Sequence, residues 1–216
     1  MIFLENIEYG YGKSEFTLKV AKLEIKKGEL VALTGPSGSG KSTLLRIISG
    51  EQRPNQGTVI LSGKTLTSLN EHAVRKFRLA NIGLFTQNQD LLNYLNVREN
   101  ILLLKSLNSS FKVNDDWQQI AEKCGISSLM NRFPAQLSEG EKQRVSLCRA
   151  LSGNAAIILA DEPTSNLDSE NSKLITQNLL ENCRKFQRTL LMVTHDLSLL
   201  EKFDRSIDIS SLEMSE

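Results

Sequence analysis

Gly35-Pro36-Ser37-Gly38-Ser39-Gly40-Lys41-Ser42 fills every fixed position of the pattern G-x-x-x-x-G-K-S/T. That pattern is a phosphate-binding device. Its glycines let backbone N–H groups turn inward around a triphosphate, its lysine reaches the outer phosphates, and the hydroxyl that follows coordinates Mg²⁺. The flanks agree with it. Glu29–Thr34 is a short apolar run that reads as a buried strand, and Ser42–Ile48 reads as a helix stopping at Gly50. Strand, glycine loop and helix N-terminus make one anion site, because the helix dipole adds to the donors of the loop.

Working outward, 216 residues suffice for one large domain, or for a core with a small inserted lobe. The apolar share of 40% and the charged share of 24% are those of an ordinary globular chain. A formal net charge of +1 sets up no global field toward nucleic acid or an anionic membrane, so no nucleic-acid partner is expected. The local cluster Arg75-Lys76-Phe77-Arg78 reads as a solvated helix face. Cys124, Cys148 and Cys183 are widely spaced and odd in number, which suggests reduced thiols in a cytosolic protein. They form no familiar zinc spacing with His72 and His195. Met1–Asn6 does not read as a signal peptide. No apolar run approaches the ~18 residues a spanning helix needs.

Along the chain, Ile2–Tyr9 and Phe16–Ile25 read as strands, with Lys26-Lys27-Gly28 as a turn. Thr58–Leu61 reads as a strand closing on Ser62-Gly63, Asn70–Ala80 as a helix, and Ile82–Thr86 as a strand ending at Gln87. Residues 97–152 have helical texture. There Trp117, Ile120, Ala121 and Cys124 fall on one stripe, with Asn114 or Asp115 as cap and Gly125 as stop. The stripe is core packing and carries no chemistry. Ala155–Ala160 and Thr189–Thr194 are near-continuous apolar runs, as expected of strands covered on both faces, with a helix over Ser169–Lys185 between them. The fold class expected is α/β: a P-loop NTPase core with a small N-terminal antiparallel β region and an inserted α-helical subdomain.

Two further segments carry chemistry. Ile157–Glu162 is a buried strand ending in two adjacent carboxylates. Side chains alternate along a strand, so the two take different roles: Asp161 beside the Mg²⁺ held by Ser42, Glu162 over the attacking water as general base or orienter. In Leu137-Ser138-Glu139-Gly140-Glu141, Ser138 and Glu141 have the spacing of a capping box opening a helix. The same helix N-terminus, with a serine and a glycine, is equally an anion site, and spacing alone leaves the two readings level.

With these segments in order, the chain resembles the nucleotide-binding subunit of ABC transporters over residues 1–210. The resemblance rests on the P-loop at Gly35–Ser42, the Q-loop glutamine Gln87, and the signature Leu137–Glu141 running into Gln143-Arg144-Val145. It continues with the Walker B segment Ile157–Glu162, the D-loop Asn166-Leu167-Asp168, the switch histidine His195 and Tyr11 of Tyr9-Gly10-Tyr11-Gly12. It implies a single ATPase domain over 1–216. A RecA-like core plus β region would occupy about 1–88 and 153–216, with a helical subdomain over about 89–152.

The resemblance also implies ATP and Mg²⁺ as cofactors and a head-to-tail dimer, of itself or with a paired subunit. Implied ATP-binding residues are Tyr11, Gly35, Pro36, Ser37, Gly38, Ser39, Gly40, Lys41, Ser42, Thr43, Ser138, Gly140, Glu141 and Asp168. Implied metal contacts are Ser42, Gln87 and Asp161, and implied catalytic residues are Glu162, His195 and Gln87. Integral membrane permease subunits are the implied partners, which places the chain peripherally at the cytoplasmic face of the cell membrane. The subgroup it looks most like serves lipoprotein release and macrolide or peptide efflux. A solute importer, a non-transport ATPase of the superfamily and a P-loop kinase are the alternatives. A chromosome-maintenance ATPase would carry heptads in the helical region, and a kinase would leave Gln87 and His195 unexplained. Two positions depart from the family pattern. Glu139 replaces a signature glycine and is expected to face solvent, and Thr86 stands where an aromatic is common.

Overall fold

The computed structural model describes residues 1–10, 17–86, 90–107, 117–165 and 167–213. In chain order the strands are β1 (Ile2–Gly10), β2 (Thr17–Ile25), β3 (Leu30–Thr34), β4 (Gln56–Leu61), β5 (Lys64–Thr65), β6 (Ile82–Phe85), β7 (Ile157–Asp161), β8 (Thr189–Val193) and β9 (Arg205–Asp208). The helices are α1 (Lys41–Ser49), α2 (Glu71–Asn81), α3 (Val97–Leu107), α4 (Trp117–Lys123), α5 (Glu139–Leu151) and α6 (Ser169–Lys185). The chain divides into two compact units, Met1–Arg78 with Thr189–Glu216, and Leu79–Arg188.

In the first unit, β1 pairs antiparallel with β2 from Ile2↔Ile25 to Gly10↔Thr17 and on its other edge with β4, which turns through Ser62-Gly63 into β5. Both turn residues have positive φ, 50° and 79°, the conformation that matches the twist of a tight hairpin. Buried positions along β1 step from Leu4 to Ile7 because Asn6 takes φ 51° and the register against β4 shifts between Glu5 and Glu8. A bulge changes which residues face the core in this way. The second sheet element of this unit is parallel, with β3 between β8 and β9. All of β8 and all of β3 except Thr34 are buried, as their unbroken apolar runs predict.

In the second unit, β6 lies parallel to β7, from Ile82↔Ile157 to Phe85↔Ala160. Around this pair α5 buries Val145, Leu147, Cys148 and Leu151, and α6 buries Ile175, Leu179 and Cys183. Buried Arg188 donates to Leu151 O and Gly153 O at 2.9 Å, tying off the C-terminal end of α5. Asn100 is fully buried. It accepts from Leu92 N (2.8 Å) and donates to Leu92, Leu95 and Asn96 carbonyls, which fixes the turn ahead of α3. Ile120, Ala121 and Cys124 pack inward as expected of the α4 stripe, whose cap candidates Asn114 and Asp115 lie outside the described residues. Burial pushes the Cys124 and Cys183 thiols up to about 12, and Cys148 also upward, so all three stay protonated.

The architecture is the expected α/β class, an antiparallel N-terminal β region and parallel strands accompanied by helices. One expectation shifts: the strand read at 155–160 runs Ile157–Asp161. Strand β5 has only two residues and carries no periodicity for a sequence to show. Among the described residues, no helix is long and apolar enough to cross a membrane.

Candidate nucleotide site

The glycine loop joins β3 to α1. Gly35 has φ 139°, and a Cβ there would lie 2.7 Å from Ile209 Cγ2, so only glycine fits beneath this part of the loop. Ser39 Oγ donates to Pro36 O at 2.8 Å and braces the turn. Lys41 is buried, and its Nζ donates to Gly35 O (2.9 Å) and Pro36 O (2.7 Å), drawing the ammonium under the loop. Gly40 begins α1 with φ 96° and no side chain caps the helix; its first turn holds no acid. The first turn of α1 thus sets no acidic residue of its own against the helix dipole, which favours an anion there.

Asp208 and Ile209, at the end of β9, underlie the loop. The Asp208 carboxyl is held below its ordinary range, first by backbone and side-chain hydrogen bonds from Ser210 and to a lesser degree by the Lys41 charge. His195 sits exposed in the turn after β8, and Asp196 beside it caps the following 3₁₀ turn through Ser198 N (2.9 Å).

In the second unit, Ser138 is the N-cap of α5. Its Oγ accepts from Glu141 N (3.3 Å), while Glu141 Oε2 accepts from Ser138 N (2.7 Å). The capping box is thus real and both carboxylates of this first turn are engaged in the chain itself. Glu139 is exposed and pairs with Lys142 at 2.6 Å, the solvent-facing arrangement expected for it within the protomer. Gly140 has ordinary φ, and a Cβ there would meet nothing closer than 3.4 Å, so the protomer's own packing does not demand a glycine.

Asp161 is the last residue of β7, but Glu162 is not its alternate on a strand. Glu162 takes φ 45°, and its carbonyl accepts from Ser165 N and Oγ (3.3 and 3.2 Å). Strand alternation therefore does not relate the two carboxylates, because the backbone leaves the β region at Glu162. A non-glycine residue in this region costs about 1–3 kcal/mol, and such outliers concentrate at functional sites. Asp168 caps α6: Oδ1 accepts from Glu170 N (3.0 Å) and Asn171 N (2.9 Å), and Oδ2 accepts from Asn171 Nδ2 (2.7 Å). These bonds hold its carboxyl below the ordinary range. Tyr11, Gln87 and Asn166 lie outside the described residues.

Sequence reasoning missed three positions. Asp208 and Ile209 support Gly35 from the far end of the chain, and no local signal marks them. Asn171 joins Asp168 to Arg144; its place three residues after a helix cap was the available hint.

Comparison with known proteins agrees with this geometry. A protein-family model described as ABC transporter matches residues 18–165. The Escherichia coli (strain K12) protein "Uncharacterized ABC transporter ATP-binding protein YbbA" is 36% identical over 221 residues, covering 100% of this chain and 97% of its own. The Bacteroides thetaiotaomicron "Lipoprotein-releasing system ATP-binding protein LolD" is 37% identical over 209 residues, 96% of this chain and 95% of its own. A dimeric structure of the ATP-binding cassette MJ0796 in a post-hydrolysis state with ADP and Pi superposes with a TM-score of 0.88 at 32% identity, covering 100% of this chain and 97% of that one. A glycine loop closed over the Lys41 ammonium, a serine-capped helix at Ser138 and relatives matched end to end lead to one assignment: the chain belongs to the ABC transporter family, as one of its ATP-binding proteins.

Proposed function

We propose that this chain binds ATP with Mg²⁺ and hydrolyses it in a head-to-tail pair of ABC subunits, either two copies of itself or one copy with a paired subunit. The pair powers transport through separate integral membrane permease subunits at the cytoplasmic face of the cell membrane. The transport is of the lipoprotein-release or efflux type. The single observation that carries the reading is the head of α1, where a glycine cap, an acid-free first turn and the buried Lys41 ammonium converge under the Gly35–Gly40 loop. Support for the subgroup comes from the lipoprotein-releasing relatives at 37% identity. The whole of 1–216 acts as one ATPase domain, with core and β region over about 1–88 and 153–216 and the helical subdomain over about 89–152.

In this reading Tyr11 stacks on adenine, Gly35–Gly40 and Thr43 wrap the phosphates, and Lys41 meets the outer ones. Ser138 and Gly140 of one copy close on the γ-phosphate held by the other, with Asp168 across the same interface. That Gly140 is not required by its own protomer fits a close approach from outside. Glu141 keeps the α5 cap in shape. Glu162 takes or orients the proton of the attacking water, and His195 keeps Glu162 in place.

Mg²⁺ keeps several waters and is held by few protein groups, one or two carboxylates beside the substrate phosphates. The Ser42 hydroxyl and the Asp161 carboxylate, with the Gln87 amide, are hard donors of that kind. When bound, the ion neutralises phosphate charge. Among the described residues there is no cluster of three or more His, Cys, Asp or Glu that could hold a metal without such help. Energetically, a ligand moves an open–closed equilibrium only by its differential affinity for the two states. The γ-phosphate supplies that difference, since two half-sites share it and hydrolysis removes it.

The test is Glu162→Gln. Turnover should vanish while ATP traps a stable dimer, read by size-exclusion chromatography with light scattering. Unchanged hydrolysis would remove Glu162 from its role, and failure to dimerise with ATP would remove the shared site.

A further inference from the structure

Asn171, in the first turn of α6, has both ends of its side-chain amide committed. Its Nδ2 donates to Asp168 Oδ2 at 2.7 Å and its Oδ1 accepts from Arg144 Nη1 of α5 at 2.5 Å. Its backbone N–H adds a third bond, to Asp168 Oδ1 at 2.9 Å. A helix cap needs only that backbone bond, so the arm reaching to α5 is not explained by capping. Gly140 of the first turn of α5 lies beside the same pair, since a Cβ placed on it would stand 3.4 Å from Asn171 Nδ2 and 3.5 Å from Arg144 Nη1. Arg144 Nε is buried with no partner among the described residues, and Asn171 supplies the acceptor for Nη1. One asparagine thus fastens α5, the helix that the signature turn opens, through Arg144 to the segment that ends at Asp168.

We infer that Asn171 is a positioning residue that makes the signature turn and the Asp168 segment move as one body, so that closure of one composite nucleotide site is felt at the other. The inference rests on the proposed function, in which Ser138, Gly140 and Asp168 all face the partner copy. Rigid coupling of two such contacts matters because association is costly in ordering interface groups that are not held beforehand. Asn171 acts through Arg144 and Asp168.

The experiment uses the full chain carrying Glu162→Gln, with Asn171→Leu added. Two quantities are read: ATP binding by the dilute protomer, and the dissociation constant of the ATP-driven dimer. The expected result is unchanged ATP binding and a dimer weakened at least about tenfold, about 1.4 kcal/mol. With Glu162 intact, the same change should lower the Hill coefficient for ATP toward 1.

A dimer as tight as the parent's overturns the inference and leaves the proposed function standing. A parent that does not dimerise with ATP overturns both. A second pair of variants holds if the leucine chain does not fold. Asn171→Asp keeps the acceptor for Arg144 but sets a carboxylate against Asp168, and Asp168→Asn in the same chain restores a donor while keeping a good cap. The single change should weaken the dimer at least about tenfold and the double should return to the level of Asp168→Asn alone. A double variant no better than Asn171→Asp overturns the inference.

Discussion

Replacing Gly83 with alanine should loosen the second unit by an amount that its geometry sets. Gly83 sits in β6, the strand leading to Gln87, where it faces the C-terminal part of α5. An added Cβ would come 2.4 Å from Ala150 O and 2.7 Å from Ile158 Cδ1. Ordinary contact begins near 3.4 Å, so strand and helix must separate by about 1 Å, and the nearer obstacle is backbone that cannot rotate away. Overpacking of this kind costs about 1–3 kcal/mol. Gly→Ala in a permissive conformation returns about 0.4–1 kcal/mol through the unfolded chain. The net expectation is a loss of about 1–2 kcal/mol, or a fall in Tm of several degrees at about 2–4 °C per kcal/mol for a chain of this size. Urea unfolding measures it: the midpoint should fall with the slope unchanged, because neither state changes its exposed surface much. A variant as stable as its parent, or more so, would show that α5 and β6 are not in the fixed contact described.

Two charge predictions accompany this one. The folded Glu141 carboxyl lies below its ordinary value of 4.5, chiefly because the Ser138 backbone N–H donates to it, so its stabilisation is present above 4.5 and is lost as pH falls through the depressed value. Glu141→Gln, which caps without a charge, should narrow its stability gap to the parent as pH drops below 4.5; parallel pH profiles would contradict the assignment. Glu139→Gln removes an exposed negative charge from the signature turn and should tighten the ATP-driven dimer of the Glu162→Gln chain by up to about fivefold at low salt, with the gain fading as salt rises. A weaker dimer at low salt would mean that Glu139 does not face the phosphate's field.

The parts of the fold that were legible are those fixed locally. α1 ends at Gly50 and α6 spans Ser169–Lys185 as the caps and periodicity indicate, and β3 and β8 are buried runs because parallel strands are covered on both faces. What was not legible is non-local or backbone-driven. Ile209 closes under Gly35 from the other end of the chain, which no window of sequence can report. Glu162 leaves the strand at φ 45°, although an Asp-Glu pair reads as two ordinary strand residues. The link from Arg144 to Asn171 crosses between two helices whose individual readings were correct. Resemblance contributed Gln87, Tyr11 and His195; nothing in composition or spacing singles them out.

The two helix N-termini to which the proposed function assigns the nucleotide are physically unlike, and the difference orders events. α1 begins at a glycine with no side-chain cap and no acid in its first turn, so its partial positive charge is available to a triphosphate. α5 begins at Ser138 and already holds Glu139 and Glu141, with Glu141 bonded back to the cap. Two carboxylates spend most of the dipole that would otherwise attract a third anion. Under the proposed function, a γ-phosphate arriving at α5 is held by short-range contact, from the Ser138 hydroxyl and backbone over Gly140, but gains little from the long-range field. ATP should consequently load onto α1 of each copy first, and closure onto α5 should follow as a weak, geometrically demanding step. Such a step depends on how rigidly the signature turn is held, which is where the Asn171 clasp has its leverage.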